Sequence, residues 1–258
     1  ALELELESIE APREVDTIFV GGGTPTHLPP DPLFQLMELI GKWFRPAAEY
    51  EFCVEANPCG LDDDKIDVLV DAGVNRVSLG VQSFETGVLK TLEREHRRAG
   101  IVNTVERLRG RIPHVSLDLI FGVPGQSLEG WRETMREAVA LGPQHISTYG
   151  LTFERGTAFW GRLKKGQLVR VPEDLEHRMY SAAMDELPAA GFEQYEISNF
   201  ARPGFRCRHN EVYWKGLPYA AFGPGAARYL DGRRETNHRS VTTWLTRVHA
   251  GQSPVAER

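Results

Sequence analysis

Val115-Ser116-Leu117-Asp118-Leu119-Ile120-Phe121 puts Val115, Leu117, Leu119 and Phe121 on one face and Ser116 and Asp118 on the other. A β-strand repeats every two residues, so this run reads as a strand with one apolar and one polar face. Pro124-Gly125 stops it. The pattern recurs on either side. Val77, Leu79 and Val81 lie opposite Ser78, Gly80 and Gln82, and Phe52 and Val54 lie opposite Cys53 and Glu55. In His145–Leu151, Ser147 and Tyr149 lie opposite Ile146 and Thr148. Thr17–Val20 is a further apolar run, and it ends in Gly21-Gly22-Gly23.

Between these strands run helical patterns. Leu33, Phe34, Leu36, Met37, Leu39 and Ile40 fall at helical spacing, Asp62 or Asp63 can cap a helix through Val70 closed by Gly73, and further stretches lie near Leu89, at Ile101–Leu108 and at Trp131–Leu141. Strand–helix alternation of this length means βα units and a parallel sheet. An open sheet covered by helices on both sides should be apolar on both faces. Here one face is repeatedly polar, and Glu55, Gln82 and Asp118 cluster at the carboxyl ends. That predicts an α/β fold, a partial (β/α) barrel with helices outside and a ligand site at its carboxyl-end mouth. The expected division is 1–151 for the barrel, lacking its first βα unit, and 152–258 for an α+β extension. In the extension Pro172–Leu187 and Val241–Val248 read as helices, and Phe192–Ile197, Val212–Trp214 and Ala226–Leu230 as short strands.

Composition narrows the function. The chain has 258 residues, 41% hydrophobic and 26% charged, which is ordinary for a packed domain. Thirty Lys+Arg against 36 Asp+Glu leave a net charge of −6, which argues against nucleic-acid binding. No apolar run reaches the roughly 20 residues of a membrane span, and the acidic residues 1–14 carry no signal-peptide pattern. Three cysteines, Cys53, Cys59 and Cys207, do not make a disulfide framework, so a reducing cytoplasm is the expected location. The chain lacks an initiator Met and ends abruptly at Gly251–Arg258, which is expected of a fragment.

Gly21-Gly22-Gly23-Thr24-Pro25-Thr26 is neither a dinucleotide fingerprint nor a P-loop. Its bare backbone lets a ligand approach main-chain N–H and C=O groups. It is followed in order by Val54-Glu55-Ala56-Asn57-Pro58, by Asn75-Arg76-Val77-Ser78-Leu79-Gly80-Val81-Gln82-Ser83-Phe84 and by Ser116-Leu117-Asp118-Leu119-Ile120-Phe121-Gly122-Val123-Pro124-Gly125-Gln126. Together these resemble the radical S-adenosyl-L-methionine (SAM) enzymes of the oxygen-independent coproporphyrinogen III oxidase family. Tyr149–Thr157, Tyr195–Ala201 and Cys207-Arg208-His209-Asn210-Glu211-Val212-Tyr213-Trp214 narrow the resemblance to its HemW branch of haem chaperones. The resemblance covers nearly all of residues 15–250.

The resemblance implies a SAM site made of Gly22, Gly23, Thr24, Glu55, Gln82, Arg94 and Asp118. Three of these are the polar residues already found by alternation; Arg94 lies in a charge run that otherwise reads as a solvated face. It also implies haem contact through the HNxxYW motif, by His209, Asn210, Tyr213 and Trp214, with the His209 imidazole as an axial iron ligand. On the strand expected for Val212–Trp214, Tyr213 and Trp214 would face opposite ways. The competing reading makes His209 and the aromatics ordinary packing residues. The implied activity is that of a haem chaperone, which binds haem or a porphyrin and passes haem to an acceptor protein. A porphyrinogen-decarboxylating oxidase and a SAM-binding barrel without redox activity are the alternatives. The family's Cys-x-x-x-Cys-x-x-Cys motif precedes the glycine loop, yet this chain has no cysteine before Cys53. A four-iron four-sulfur (4Fe–4S) cluster is therefore expected only in the intact protein, no metal ligands are expected in this chain, and the chain as given is not expected to cleave SAM.

Overall fold

The structure is a computed structural model that describes residues 1–257. A short helix α1 (Leu2–Leu6) leads into β1 (Arg13–Val20), and α2 (Pro30–Trp43) returns the chain to β2 (Phe44–Ala56). α3 (Asp63–Asp71) leads to β3 (Arg76–Gln82), α4 (Thr86–Thr91) and α5 (Arg98–Leu108) lead to β4 (His114–Phe121), and α6 (Leu128–Ala140) leads to β5 (His145–Gly150). Then follow α7 (Ala158–Lys164), α8 (Glu173–Ala189), β6 (Glu193–Gln194), β7 (Asn199–Ala201) and α9 (Arg208–Trp214). β8 (Ala227–Leu230), β9 (Arg233–Asn237), α10 (Val241–His249) and β10 (Val255–Glu257) complete the described chain.

Local chemistry sets several of these boundaries. The Asp62 carboxylate accepts the Lys65 N–H at 3.0 Å to cap α3, and Gly73, at φ +80°, ends that helix in a conformation that side chains resist. Ser127 caps α6 by accepting the Gly130 N–H at 3.0 Å.

β1 to β5 pair in sequence order, all parallel, and the sheet curls into a half-barrel; β7 then adds antiparallel to β5, and β6 to β7. The sheet thus continues past residue 151 into the extension. Its convex face carries the buried Val54, Val77, Leu79, Leu117, Leu119 and Ile146. Leu33, Ile66, Leu69, Ile101, Leu108, Trp131 and Met179 of the surrounding helices belong to the same core. Each such side chain contributes about 1.5–3 kcal/mol when fully buried. Trp131 also donates its indole N–H to the Met179 carbonyl at 2.9 Å, tying α6 to α8.

The concave face is polar, as alternation predicts. The register sets Thr17 opposite Glu51, Glu55 opposite Ser78, Gly80 opposite Asp118, and Asp118 opposite Ser147. β10, β9 and β8 form a separate antiparallel sheet at the carboxyl-terminal end.

Two sequence readings need correction. Val212–Trp214 belongs to helix α9, not to a strand. Its seven residues are too few to hold a helix alone; a buried carboxylate from β2, described below, receives its first N–H groups. Phe192–Ile197 is not one strand either, because the chain turns after Gln194 and returns as β7.

Candidate functional site

β1 ends at the glycine loop. A Cβ on Gly21 would stand 2.5 Å from Phe19 Cε1 and 2.7 Å from Glu55 Cδ, so any side chain there would force Phe19 or Glu55 to move. Gly22 adopts φ +81° and donates its N–H to Glu55 Oε2 at 3.2 Å. A Cβ on Gly23 would meet nothing within 4 Å. Thr24 Oγ1 accepts from Asn57 Nδ2 at 3.1 Å, which joins the loop to the end of β2. Gln82, at φ +64°, sits where the β3–β4 register shifts. Its amide lies over Gly80, where an added Cβ would come 3.0 Å from Gln82 Nε2 and 3.1 Å from Asn57 Oδ1.

Below this level the concave face encloses a cavity of about 210 Å³ whose wall includes Phe19, Glu55, Asp118, Tyr149, Cys207 and Asn210. Asp118 accepts from Ser78 Oγ at 2.9 and 3.0 Å on its two oxygens. Burial raises its pKa, against the opposing hydrogen bonds from Ser147 and Ser78. Glu55 is pushed up to about 7, first by burial and then by the Asp118 charge, while the Gly22 N–H pulls the other way. Two carboxylates facing one cavity favour a cationic or hydrogen-bond-donating ligand group, which would restore the charge that burial opposes.

The floor is an ion pair and a helix end. Arg76 Nε donates to Glu51 Oε2 at 2.9 Å, with both side chains about 95% buried or more (3% and 5% exposed). Glu51 also accepts the Cys207 thiol at 3.2 Å, the Arg208 N–H at 3.1 Å and the His209 N–H at 3.0 Å. It therefore satisfies two of the orphan amides at the start of α9 and places negative charge at the positive end of that helix. Arg76 Nη2 reaches the carbonyls of Phe205 and Arg206 at 3.1 and 3.2 Å, holding the approach to α9.

His145 completes the floor. Burial pushes its pKa down to about 3, so its ring is neutral. The Tyr195 hydroxyl accepts the Cys207 N–H and Asn210 Nδ2, each at 3.3 Å. Its own proton then goes to His145 Nε2 at 2.9 Å, leaving His145 Nδ1–H to donate to Ser116 Oγ at 2.7 Å.

On α9, His209 and Tyr213 are four residues apart and share a face. The His209 ring stacks on Phe19, centroids 5.2 Å apart and 16° from parallel. Its Nδ1 lies 2.9 Å from Thr17 Oγ1 and its Nε2 lies 2.8 Å from the Tyr213 hydroxyl. Tyr213 and Trp214 are exposed, at 48% and 58%.

The family model for the radical SAM superfamily matches residues 1–138. The chain belongs to the radical SAM superfamily. This radical SAM chain is 41% identical over 234 residues to a Bacillus subtilis protein named heme chaperone HemW, covering 90% of the chain and 62% of that protein. It is 38% identical over 257 residues to a Mycobacterium tuberculosis (strain H37Rv) protein of the same name, covering 99% of the chain and 65% of that protein. The chain thus spans less than two thirds of the length of these relatives. Among solved structures, the Escherichia coli coproporphyrinogen III oxidase HemN, described as a radical SAM enzyme, matches with a TM-score of 0.84 at 23% identity, over 98% of this chain and 62% of that one. At that identity the likeness shows the fold alone.

The sequence-derived SAM residues of this radical SAM chain fall into two groups. Gly22, Glu55 and Asp118 meet at the cavity mouth, with Gly23, Thr24 and Gln82 on the rim beside them. Arg94 is exposed on the turn after α4, where its N–H donates to the Leu89 carbonyl at 2.9 Å, and it does not line the cavity. Asn210 lines the cavity, whereas Tyr213 and Trp214 lie outside it. The rim fits SAM: open backbone at Gly23 and two cavity-facing carboxylates suit a ligand carrying an ammonium group and hydroxyls. The cysteines do not fit a cluster. Cys53 and Cys207 line the cavity while Cys59 is exposed on the loop after β2, and no three metal-ligating side chains gather among the described residues. No helix among the described residues is long and apolar enough to cross a membrane.

Residue-by-residue reading of the sequence missed Glu51, Arg76, Tyr195 and Thr17. Alternation does put Glu51 and Arg76 on the polar face. Their pairing is tertiary and leaves no local signal.

Proposed function

We propose that this chain serves haem delivery: it binds SAM at the carboxyl-end mouth of the half-barrel and haem against α9, and passes haem to an acceptor protein. The observation that carries this reading is the setting of His209. Its ring is stacked on Phe19, bonded at Nδ1 to a strand hydroxyl and turned at Nε2 toward the surface beside exposed aromatics. A metal-ligating histidine characteristically has one nitrogen oriented by a neighbour while the other meets the metal. The relatives named heme chaperone HemW support the same reading.

SAM, when bound, supplies an ammonium, a carboxylate and a sulfonium centre. Glu55 would take the ammonium while Gly22 N–H keeps that carboxylate aimed at the loop. Asp118, held by Ser78, would accept from ligand hydroxyls, and the Gln82 amide would close the rim. Arg94, two residues before His96, whose Nε2 lies 2.8 Å from the Val81 carbonyl near the end of β3, would take the SAM carboxylate. The bottom of the cavity stays closed by the Glu51–Arg76 pair, which fixes α9 to the barrel.

The test is transfer. The chain is loaded with ferric haem, freed of excess by gel filtration and mixed with apomyoglobin. Appearance of the holomyoglobin Soret band, faster than from free-haem controls at the same haem concentration, is the expected result. Retention of no haem through the column would overturn the proposal. Isothermal titration with SAM tests the other half, and an absence of binding would remove the SAM assignment.

A further inference from the structure

We propose that Tyr213 is a latch on His209 rather than a haem-binding group in its own right: its hydroxyl occupies the nitrogen that iron takes, and Thr17 orients the ring for the exchange. This rests on the reading of α9 as the haem site.

His209 has a hydroxyl on each ring nitrogen, Thr17 Oγ1 at 2.9 Å and Tyr213 at 2.8 Å. A neutral imidazole carries one N–H and one lone pair, so one of these hydroxyls accepts and the other donates. A phenol is a much stronger proton donor than an aliphatic alcohol. Tyr213 therefore donates to Nε2, and Nδ1–H donates to Thr17 Oγ1. The lone pair that an iron would need sits on Nε2, covered by a side chain that is 48% exposed.

What holds and what is free follows from the surroundings. The ring plane is set by Phe19 and by Thr17, both on β1. The backbone of His209 is set by Glu51, which accepts its N–H at 3.0 Å. Tyr213 lies one turn further along α9, beside Tyr219 with ring centroids 4.7 Å apart. A rotation of Tyr213 about its own side-chain bonds uncovers Nε2 without moving His209. In the exchange one O–H···N hydrogen bond breaks and one N–Fe bond forms. Tyr213 keeps its proton, the Nε2 lone pair becomes the iron's donor pair, and no electron changes owner.

This makes a prediction opposite to that of a Tyr213 contributing binding energy directly. Removing the latch hydroxyl should strengthen iron binding, because the competing hydrogen bond is gone. A net hydrogen bond of about 0.5–1.5 kcal/mol converts to a roughly two- to tenfold gain. Loss of the Thr17 hydroxyl should weaken iron binding by a similar factor, since the ring loses its orienting partner.

The experiment titrates the whole chain with ferric haem, followed in the Soret region, and in parallel with metal-free protoporphyrin IX, followed by fluorescence. The variants are Tyr213→Phe, Thr17→Val, Thr17→Ser and His209→Ala, each checked by circular dichroism. The expected pattern is tighter ferric haem with Tyr213→Phe, weaker with Thr17→Val, near-parent affinity with Thr17→Ser, and metal-free porphyrin affinity unchanged in all three. Tyr213→Phe that binds ferric haem equally or more weakly overturns the latch, as does a matching change with metal-free porphyrin. If folded His209→Ala keeps the parent's affinity and spectrum, the haem reading of α9 fails first. If Thr17→Val does not fold, Thr17→Ser and Tyr213→Phe still decide the matter.

Discussion

Gly21, Gly22 and Gly23 are adjacent, yet each is glycine for a different reason. Gly21 has Phe19 and Glu55 where a Cβ would go, Gly22 needs positive φ, and Gly23 has open space. Gly21→Ala should lower the melting temperature by several degrees, because packed groups must shift. Gly23→Ala should leave the melt unchanged yet weaken SAM binding at least about tenfold, if ligand approaches the bare backbone. Parent-like SAM affinity in Gly23→Ala, read by calorimetry, would remove the loop from the site. Glu55 gives a pH test. Its pKa rises from an ordinary 4.5 to about 7 on folding, so the folded state binds the extra proton and stability falls as pH rises through that window. Glu55→Gln should abolish that loss, its advantage over the parent absent near pH 4 and fully developed above pH 7, by urea unfolding. A cationic ligand reverses the shift, so SAM binding should release a proton near pH 6 and tighten as pH rises toward 7. At this scale Glu55 and Asp118 were legible, because strand alternation alone puts them on the polar face. Gln82 was legible only in part: alternation cannot register the shift between Gly80 and Gln82.

The element most misread is α9. Its sequence, Arg208-His209-Asn210-Glu211-Val212-Tyr213-Trp214, has aromatic and branched residues that suit a strand edge. Glu51 overrides that preference by accepting the N–H groups of Arg208 and His209, and no local pattern reveals a carboxylate more than 150 positions earlier. On a helix His209 and Tyr213 share a face, which a strand would also allow; what changes is that Trp214 no longer opposes Tyr213. The buried Glu51–Arg76 pair should therefore behave as a unit. Glu51→Leu alone strands a buried guanidinium and should cost about 3–5 kcal/mol. Glu51→Leu with Arg76→Met should cost clearly less than the two single changes added together. A double-mutant cycle in urea measures this, and simple additivity would show that the pair is not what anchors α9.

Across the whole molecule, the half-barrel was readable from four strands of alternating polarity and one apolar run, whereas the packing of the chain's two ends was not. Residues 1–14 read only as an acidic stretch. In the fold, α1 places Glu5 in the interior, where it accepts the Gly223 N–H at 2.9 Å, Asn237 Nδ2 at 2.7 Å and Trp244 Nε1 at 3.0 Å. One carboxylate thus binds the loop before β8, β9 and α10 to the amino-terminal helix. Glu5→Ala leaves the buried Gly223 N–H and Trp244 indole N–H unsatisfied, each costing about 1–3 kcal/mol, and leaves Asn237 Nδ2 only its bond to the Gly223 carbonyl. Hydrogen exchange should then quicken in 223–249 but not in β3 or β4; uniform quickening would mean that the two regions open together. The central claim, that the helix held by Glu51 carries a haem-ligating histidine, is tested most directly by equilibrium titration of ferric haem into the parent chain and His209→Ala, with folding verified. The variant should show a shifted Soret band and bind at least about tenfold more weakly, near 1.4 kcal/mol. An unchanged band and unchanged affinity in folded His209→Ala would contradict it.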